Sequence, residues 1–159
     1  MQHAFQISRK IEYGARAMVF LASLPEGMTT SFREIARKMD IPEEFLAKIL
    51  KTLVKAKLVK STRGSRGGYS LARAASQISF LDVIEAVEGP VGVNVCTEKD
   101  HGGCTFTAAC TMNAVWQLGQ ERMLEVYRHA RLDRLAMRSL THRSPLVALS
   151  TPAERAARS

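Results

Sequence analysis

The sequence predicts a mainly α-helical chain that carries one small β-hairpin. Apolar residues recur at helical spacing in the first half, two alternating segments flank a Gly-rich tip, and a long helical pattern follows the last cysteine. A chain of 159 residues can bury one core and add a helical extension. With no apolar run long enough to cross a bilayer and no secretory leader pattern, we expect a cytoplasmic protein that does not engage membranes.

The first two helices are predicted by periodicity and by a capping pattern. Helical spacing runs from Phe5 to Leu24 and is ended by Pro25 and the residues that follow it. A second helix opens at Ser31, because Ser31 and Glu34 stand three apart, as in a capping box where each side chain covers the other's backbone amide. This helix is short and amphipathic.

The third helix and the hairpin predict the type of DNA-binding unit. The third helix runs from Pro42 to about Lys57 and places Lys48, Lys51 and Lys55 on its outer face. Two short helices joined by a tight turn form a helix-turn-helix, whose second helix enters the major groove. The segment 58–71 then alternates, turns through a basic tip and alternates again, which predicts a wing. The fold class is therefore a winged helix-turn-helix followed by a long dimerisation helix.

The charge distribution indicates a polyanionic partner for the first half of the chain. Residues 1–73 hold 14 Lys and Arg against 6 Asp and Glu, whereas residues 74–159 hold 9 of each. Lys and Arg contacts to phosphates supply most of the sequence-independent affinity for DNA. A solvated basic surface is the simpler alternative. The candidate DNA-contacting residues of the two helices and the wing are Arg33, Glu43, Lys48, Lys51, Arg63, Ser65 and Arg66.

The sequence offers little support for an enzyme. The wing tip lacks the Lys and Ser or Thr of a phosphate-binding loop, and no strand-to-helix switch follows it. We find no nucleophile–base pair and no paired carboxylates at a plausible site. A DNA-binding regulator is therefore expected rather than an enzyme.

The second half predicts a fourth helix, a loop and a long helix. Ser79 and Asp82 repeat the capping pattern, and Gly89 with Pro90 ends the fourth helix. After Cys110 a long helix reaches about Ala130, with a seam that recurs every three or four residues at Met112, Trp116, Gly119, Met123, Val126 and Ala130. Such a seam is typical of paired helices, and a mid-helix Gly would let a second backbone approach. An ordinary amphipathic helix packed on its own domain is equally compatible with the pattern.

These elements divide the chain into four expected regions. They are a winged helix-turn-helix (1–90), a cysteine loop (91–110), a dimerisation helix with a short C-terminal helix (111–143) and a disordered tail (144–159). A homodimer is expected, because a winged helix that reads a palindromic double-stranded operator needs two copies.

All three cysteines lie in the loop. Seven residues separate Cys96 from Cys104, and five separate Cys104 from Cys110. In a reducing compartment, closely spaced thiols favour metal or redox chemistry over structural disulfides. An iron–sulfur cluster, a zinc site with His101 as fourth ligand, a thiol switch and buried inert thiols all remain open.

The chain resembles the Rrf2 family of bacterial transcription regulators. The resemblance runs from about Phe5 to Leu135, and its most specific parts are the wing and the three cysteines. The residues that carry it are Ile7-Ser8-Arg9-Lys10 with Tyr13 and Ala17-Met18, the segment 41–46 with Ile49-Leu50 and Leu53, and the wing 63–71. The resemblance implies a homodimeric winged-helix regulator, and sensor branches of the family hold an iron–sulfur cluster through three loop cysteines. The ligands here would be Cys96, Cys104 and Cys110.

The chain departs from the family pattern at several positions. The family's commonest cysteine spacing has equal gaps, whereas the first gap here is longer. Branches that use a His three residues past the last cysteine have Asn113 at that position here. Other branches use a carboxylate from the first helix of the partner subunit, and Glu12 lies at the matching position. The turn before the wing often has Gly where this chain has Lys57. The fourth ligand is therefore open between Glu12 and His101.

The expected function is a homodimeric DNA-binding transcription regulator, acting as a repressor. A [2Fe-2S] or [4Fe-4S] cluster that responds to nitric oxide, redox state or iron would control its affinity for the operator. The alternative is a winged-helix regulator without a cluster, which uses zinc or a cysteine thiol switch.

Overall fold

The computed structural model describes residues 7–64, 67–97, 104–106 and 109–141, and the side chains of these ranges up to Met137. Its helices and strands are α1 (Arg9–Ser23), α2 (Phe32–Met39), α3 (Glu43–Lys55), β1 (Val59–Thr62), β2 (Gly68–Leu71), α4 (Phe80–Glu88), α5 (Asn113–His129) and α6 (Leu132–Thr141). Short 3₁₀ turns cover Ala75–Gln77 and Val95–Thr97. The prediction of a mainly helical fold with a small hairpin is confirmed. None of the described helices is both long and apolar enough to span a membrane.

Helix α1 lies at the centre of the fold and contacts α2, α3, α4, α6 and β2. Ser8 caps its first turn, because the Ser8 hydroxyl accepts a hydrogen bond from the Ile11 amide at 3.2 Å. Small residues on α1 allow close packing: a Cβ at Gly14 would lie 3.0 Å from Cγ2 of Val87 in α4. Met18, one turn further, is fully buried. The first helix therefore supports both helices of the helix-turn-helix and one strand of the wing.

A left-handed residue makes the turn between α2 and α3. Asp40 has a φ of 50°, and the Ile41 amide donates to the Ala36 carbonyl at 3.0 Å. At the start of α2, Ser31 accepts from the Glu34 amide at 3.2 Å, as the sequence predicts. The carboxylate of Glu34 instead accepts from the Thr30 hydroxyl at 2.9 Å, so a neighbouring side chain takes the place expected for the Ser31 amide.

The end of α3 leads directly into the wing. Lys57 has a φ of 57°, and the amides of Lys57 and Leu58 each donate to a carbonyl of the last turn at 3.0 Å. This is a Schellman motif, in which Gly is the usual left-handed residue. β1 and β2 then pair antiparallel, with Val59 opposite Leu71 and Thr62 opposite Gly68.

A short bridge fixes the wing to the segment before α2. The Tyr69 amide donates to the Thr30 carbonyl at 2.8 Å, and the Thr30 amide donates back to Tyr69 at 3.0 Å. The approach requires Gly68, whose φ is 155°, because a Cβ there would lie 2.4 Å from the Thr30 carbonyl oxygen. The half of β2 nearest the wing tip is thus joined by backbone contacts to the segment before the helix-turn-helix.

The last helix returns to the first. At the start of α4 both bonds of the predicted Ser79–Asp82 capping box form. The residue after α5 lies next to the start of α4, because the Phe80 amide donates to the Ala130 carbonyl at 2.7 Å. Leu132 is then fully buried against the core that contains α1. The short C-terminal helix, expected as part of the dimerisation region, has its apolar face in the core of the winged helix.

Candidate DNA interface and cysteine site

Helix α3 separates an apolar face from a basic face. Its buried residues are Leu46, Ile49, Leu50 and Leu53. The predicted contacts Lys48 and Lys51 are exposed on the other side, together with Lys55. Because residues three and four apart share a helix face, burying the leucine stripe turns the lysines outward. Phe45, one position before the stripe, is 45% exposed and makes an edge contact with Tyr13 at 6.0 Å between ring centroids.

The remaining helix residues predicted to contact DNA are also at the surface. Arg33 on α2 and Glu43 in the first turn of α3 are exposed. Among the described residues, the ion pairs lie elsewhere and involve neither Arg33 nor the lysines of α3. Within the described ranges these cations have no acidic partner within ion-pair distance, so they are available to contact phosphates.

The wing adds further positive charge beside α3. Arg63, directly after β1, is exposed, whereas Ser65 and Arg66, also predicted to contact DNA, lie outside the described residues. Sequence reasoning missed Lys60, which is exposed on β1 next to the buried Val59. Strand alternation is the signal that could have found it, since neighbouring residues point to opposite faces.

The three cysteines line one cavity. This cavity has a volume of about 700 Å³ and lies between the Val95–Thr97 turn and the start of α5. Cys96 is buried, whereas Cys104 and Cys110 are partly exposed, and none of the three is in a disulfide. The other residues around it are mostly apolar and include Val95, Phe106, Ala109, Met112 and Trp116. The structure thus brings all three predicted thiol ligands to a common apolar space.

The cavity fits the cofactor implied by the resemblance in chemistry and in size. Soft thiolates are the usual ligands of iron–sulfur clusters, and cofactor sites range from about 300 to 1,000 Å³. Within the described ranges, no three His, Cys, Asp or Glu side chains stand close enough together to hold a metal ion. A cluster would therefore require the cysteine segment to close around it. His101, Gly102 and Gly103 lie outside the described residues.

Glu12 lies on α1, apart from the cysteine cavity of its own chain. It is exposed and forms an ion pair with Arg16 one turn later. Arg16 also donates to the Met39 carbonyl at 3.3 Å and stacks over Tyr13. Glu12 is thus connected to the end of α2 rather than to the cysteines of the same chain.

Helix α5 presents two different faces. Trp116, Met123 and Val126 of the predicted seam are partly buried against the same chain, and Tyr127 contacts Phe80 edge to face. The most exposed apolar side chains of the helix are Val115, at 67%, and Leu118, at 54%. Gly119 lies beside them, and a Cβ there would meet nothing within 4 Å. The exposed apolar face therefore shares Gly119 with the predicted seam, whereas Trp116, Met123 and Val126 of the seam pack on the same chain.

Two glutamines of α5, which the sequence analysis did not single out, connect the helix to the cysteine segment. Gln120 bonds to the backbone at Val93 and Thr97, and Gln117 donates to the Cys96 carbonyl. A signal was present, because Gln120 occupies a position in the stripe that also holds Trp116 and Met123. A polar residue in such a stripe requires hydrogen-bond partners.

Together, a basic recognition helix, a wing and a buried supporting helix define a winged-helix DNA-binding regulator. A profile of the Rrf2 family, described as iron-dependent transcriptional regulators, matches residues 7–138. The chain belongs to the Rrf2 family. It is thus a DNA-binding transcription regulator and not an enzyme, as the sequence predicted.

Relatives and solved structures agree with this assignment. An HTH-type transcriptional regulator of Mycobacterium tuberculosis is 42% identical over 86 residues, a match that spans 54% of this chain and about half (53%) of that protein. Protein aau3 of Rhizobium meliloti is 31% identical over 82% of this chain and 84% of its own length. The structure of CymR, the global cysteine regulator of B. subtilis, has 30% identity and a TM-score of 0.69, and the match covers 84% of this chain and 97% of that one. T. potens IscR has 28% identity and a TM-score of 0.70, covering 89% of this chain and 93% of that one.

Proposed function

We propose that this chain is a homodimeric repressor whose affinity for a palindromic operator is controlled by an iron–sulfur cluster. Cys96, Cys104 and Cys110 would hold the cluster, with Glu12 of the partner subunit as fourth ligand. The observation that carries the proposal is the common cavity of the three cysteines at the start of α5. A bound cluster would supply an iron centre able to react with nitric oxide or oxygen, most readily where a carboxylate replaces a thiolate.

The surroundings of the cysteines support this chemistry. Cys110 lies three residues before α5, and its carbonyl accepts a hydrogen bond from the Asn113 amide at 3.2 Å, which joins the cysteine to the start of the helix. Most of the side chains around the cavity are apolar, so the thiols are the soft ligands available there. Such an environment also makes a cluster sensitive to small changes in exposure and hydrogen bonding.

The exposed face of α5 supports a second copy of the chain as partner. Val115 and Leu118 are more than half exposed beside Gly119, and Met112 is 59% exposed near the helix start. Apolar side chains next to a glycine allow two helices to approach closely. Two copies joined in this way would present two α3 helices to one operator. A palindromic operator has two half-sites related by a two-fold axis, so it requires a dimer with the same symmetry.

A thiol switch without a cluster is the second candidate. Cys104 and Cys110 are both partly exposed and line the same cavity, so oxidants can reach them. One structural neighbour is named as a global cysteine regulator, and S. aureus CymR has been solved in an oxidised form. A zinc site is a third possibility that metal analysis would detect in the same experiment.

The test is metal and sulfide analysis of protein purified without oxygen, beside a variant with all three cysteines changed to Ala. We expect a brown protein with iron and sulfide in similar amounts and a colourless variant. DNA binding is then measured on a duplex selected from a random-sequence pool, with cofactor-free and reconstituted protein. Colourless wild type that resists reconstitution would refute the cluster and leave zinc, if the metal analysis finds it, or the thiol switch. Equal DNA affinities of the cofactor-free and reconstituted protein would refute sensing.

The dimer proposal has its own test. Val115→Asp places a charge on the exposed face of α5 and should lower the dimer fraction measured by analytical ultracentrifugation. Glu121→Asp, on the same helix at an already charged and exposed position, is the control. An unchanged dimer fraction in Val115→Asp would exclude this face as the interface.

A further inference from the structure

Gln120 holds the cysteine segment at two points. Its side-chain oxygen accepts a hydrogen bond from the Val93 amide at 3.0 Å, and its side-chain nitrogen donates to the Thr97 carbonyl at 3.0 Å. One turn earlier, the side-chain nitrogen of Gln117 donates to the carbonyl of Cys96 at 3.2 Å. We call these three bonds the glutamine clasp. They connect both ends of the segment 93–97 to a single helix.

The segment held by the clasp is compact, and its last two residues are buried. Cys96 is 6% exposed and Thr97 is 8% exposed. The Thr97 hydroxyl donates to the Asn94 carbonyl at 2.7 Å and accepts from the Asn94 amide at 3.2 Å, which closes the segment on itself. A closed turn that is bonded to α5 at both ends moves with α5 as one body.

The chemistry of the clasp requires an amide. Gln120 must accept from an N–H group and donate to a C=O group at once, and only Asn and Gln side chains have both an amide donor and an amide acceptor. A Glu at this position would keep the acceptor for Val93 but would lose the donor for Thr97. The bonds reach backbone atoms only, so the clasp is sensitive to the position of the segment and not to its side chains.

We propose that Gln117 and Gln120 are positioning residues that transmit the state of the cysteine site to α5. The inference rests on the proposed function, in which Cys96 is a ligand and α5 is the dimer helix. A shift of Cys96 carries its carbonyl and the neighbouring Thr97 carbonyl with it, and the clasp passes that shift to α5. Side chains that bridge a sensor segment and a helix are a physically connected route for such coupling.

The first test needs no cofactor and no DNA. In a Cys104→Ser, Cys110→Ser background, the reaction rate of the Cys96 thiol with a disulfide reagent reports how often the segment opens. We expect Gln120→Ala to raise this rate about tenfold and Gln117→Ala to raise it less, because Gln117 makes one of the three bonds. Gln77→Ala is the matched control, since Gln77 is exposed on another element. Equal rates in Gln120→Ala and Gln77→Ala would overturn the clasp.

Hydrogen exchange separates the clasp from general destabilisation. The Val93 amide should lose protection in Gln120→Ala and keep it in Gln120→Glu, because the glutamate retains the acceptor. A merely structural loss would instead speed exchange across α4 and α5 together. Equal loss of Val93 protection in both variants would contradict the assigned bond, and Gln120→Glu keeps the test available if the alanine variant does not fold.

The coupling itself is tested with the full chain, containing all three cysteines, on the duplex selected from a random-sequence pool. The affinity ratio between cofactor-free and reconstituted protein should fall toward one in Gln120→Ala, while the cofactor-free protein still binds that duplex. A ratio that matches wild type would refute the transmission role. A wild-type ratio of one would refute the sensor function instead, and the thiol and exchange results would still decide whether the clasp restrains Cys96.

Discussion

Leu132→Ala tests whether α6 belongs to the core of the DNA-binding unit. Leu132 is fully buried, in the core cluster that also contains Ala17, Met18 and Ile78. Substitutions of this kind remove the transfer free energy of the side chain and leave a cavity, which costs about 3 kcal/mol. Since small domains are stable by about 5 to 15 kcal/mol, the change should be large and easily measured. Urea unfolding of the full chain gives the free energy directly.

The control for this prediction is on the same helix. Met137 is 67% exposed, so Met137→Ala should change the free energy of unfolding by less than about 0.5 kcal/mol. We also expect one unfolding transition, and Leu132→Ala should shift all of it. If Leu132→Ala costs no more than Met137→Ala, or if only a separate transition moves, then α6 is not part of the winged-helix core.

Three further substitutions test the turn, the wing and the DNA surface. Lys57→Gly should raise the free energy of unfolding, measured by urea titration, by about 0.5 kcal/mol. Lys57 has a left-handed backbone conformation, which is higher in free energy for a residue with a Cβ than for Gly. Gly68→Ala should lower the free energy of unfolding by about 1 to 3 kcal/mol more than Gly64→Ala does. Both glycines have positive φ, but of the two only Gly68 has a backbone atom within 4 Å of an added Cβ. Equal losses in the two variants would contradict the Thr30 contact. Lys51→Gln should weaken DNA binding and reduce the slope of log affinity against log salt by about 1, and an unchanged slope would place Lys51 away from phosphates.

Local signals predicted the elements well. The Ser79–Asp82 capping box forms as expected, because both partners lie within one turn, and the ion pair of Asp82 with Arg73 leaves both bonds in place. The Ser31–Glu34 box forms only in part, since the Thr30 hydroxyl takes the Glu34 carboxylate. Thr30, one position before the motif, therefore determines which group binds the Glu34 carboxylate, and the motif alone does not predict this.

Long-range packing was less predictable. The seam of α5 had the right period, but periodicity does not say which of two apolar faces packs on the same chain. Two tertiary contacts determine which face packs on the same chain: Tyr127 packs against Phe80, and Trp116 lies beside the cysteine cavity. Helix α6 packs against α1, near the other end of the described chain. Local sequence patterns do not predict a contact between segments so far apart in the chain.

The sequence singled out the cysteines that line the cavity, but it did not single out the glutamines that hold the segment beside them. Cys96, Cys104 and Cys110 could be named as candidate ligands from the sequence alone, because closely spaced thiols are a recognisable sequence signal for metal or redox chemistry. Gln117 and Gln120 could not, because glutamine is common on exposed helix faces and its partners here are backbone atoms of a distant segment. The fourth-ligand position Glu12 stays a prediction.

The contact between α6 and α1 has a consequence for the order of events during synthesis. A nascent chain that has emerged only as far as α4 contains the whole helix-turn-helix and wing, yet it lacks Leu132 and Ala136, both of which complete the core. Chains emerge from the N-terminus, so this core can close only after the three cysteines have been made. A stable DNA-binding unit therefore does not form before the cysteine segment has been made, and we expect a truncated product without that segment to be degraded by proteases rather than to bind DNA without regulation.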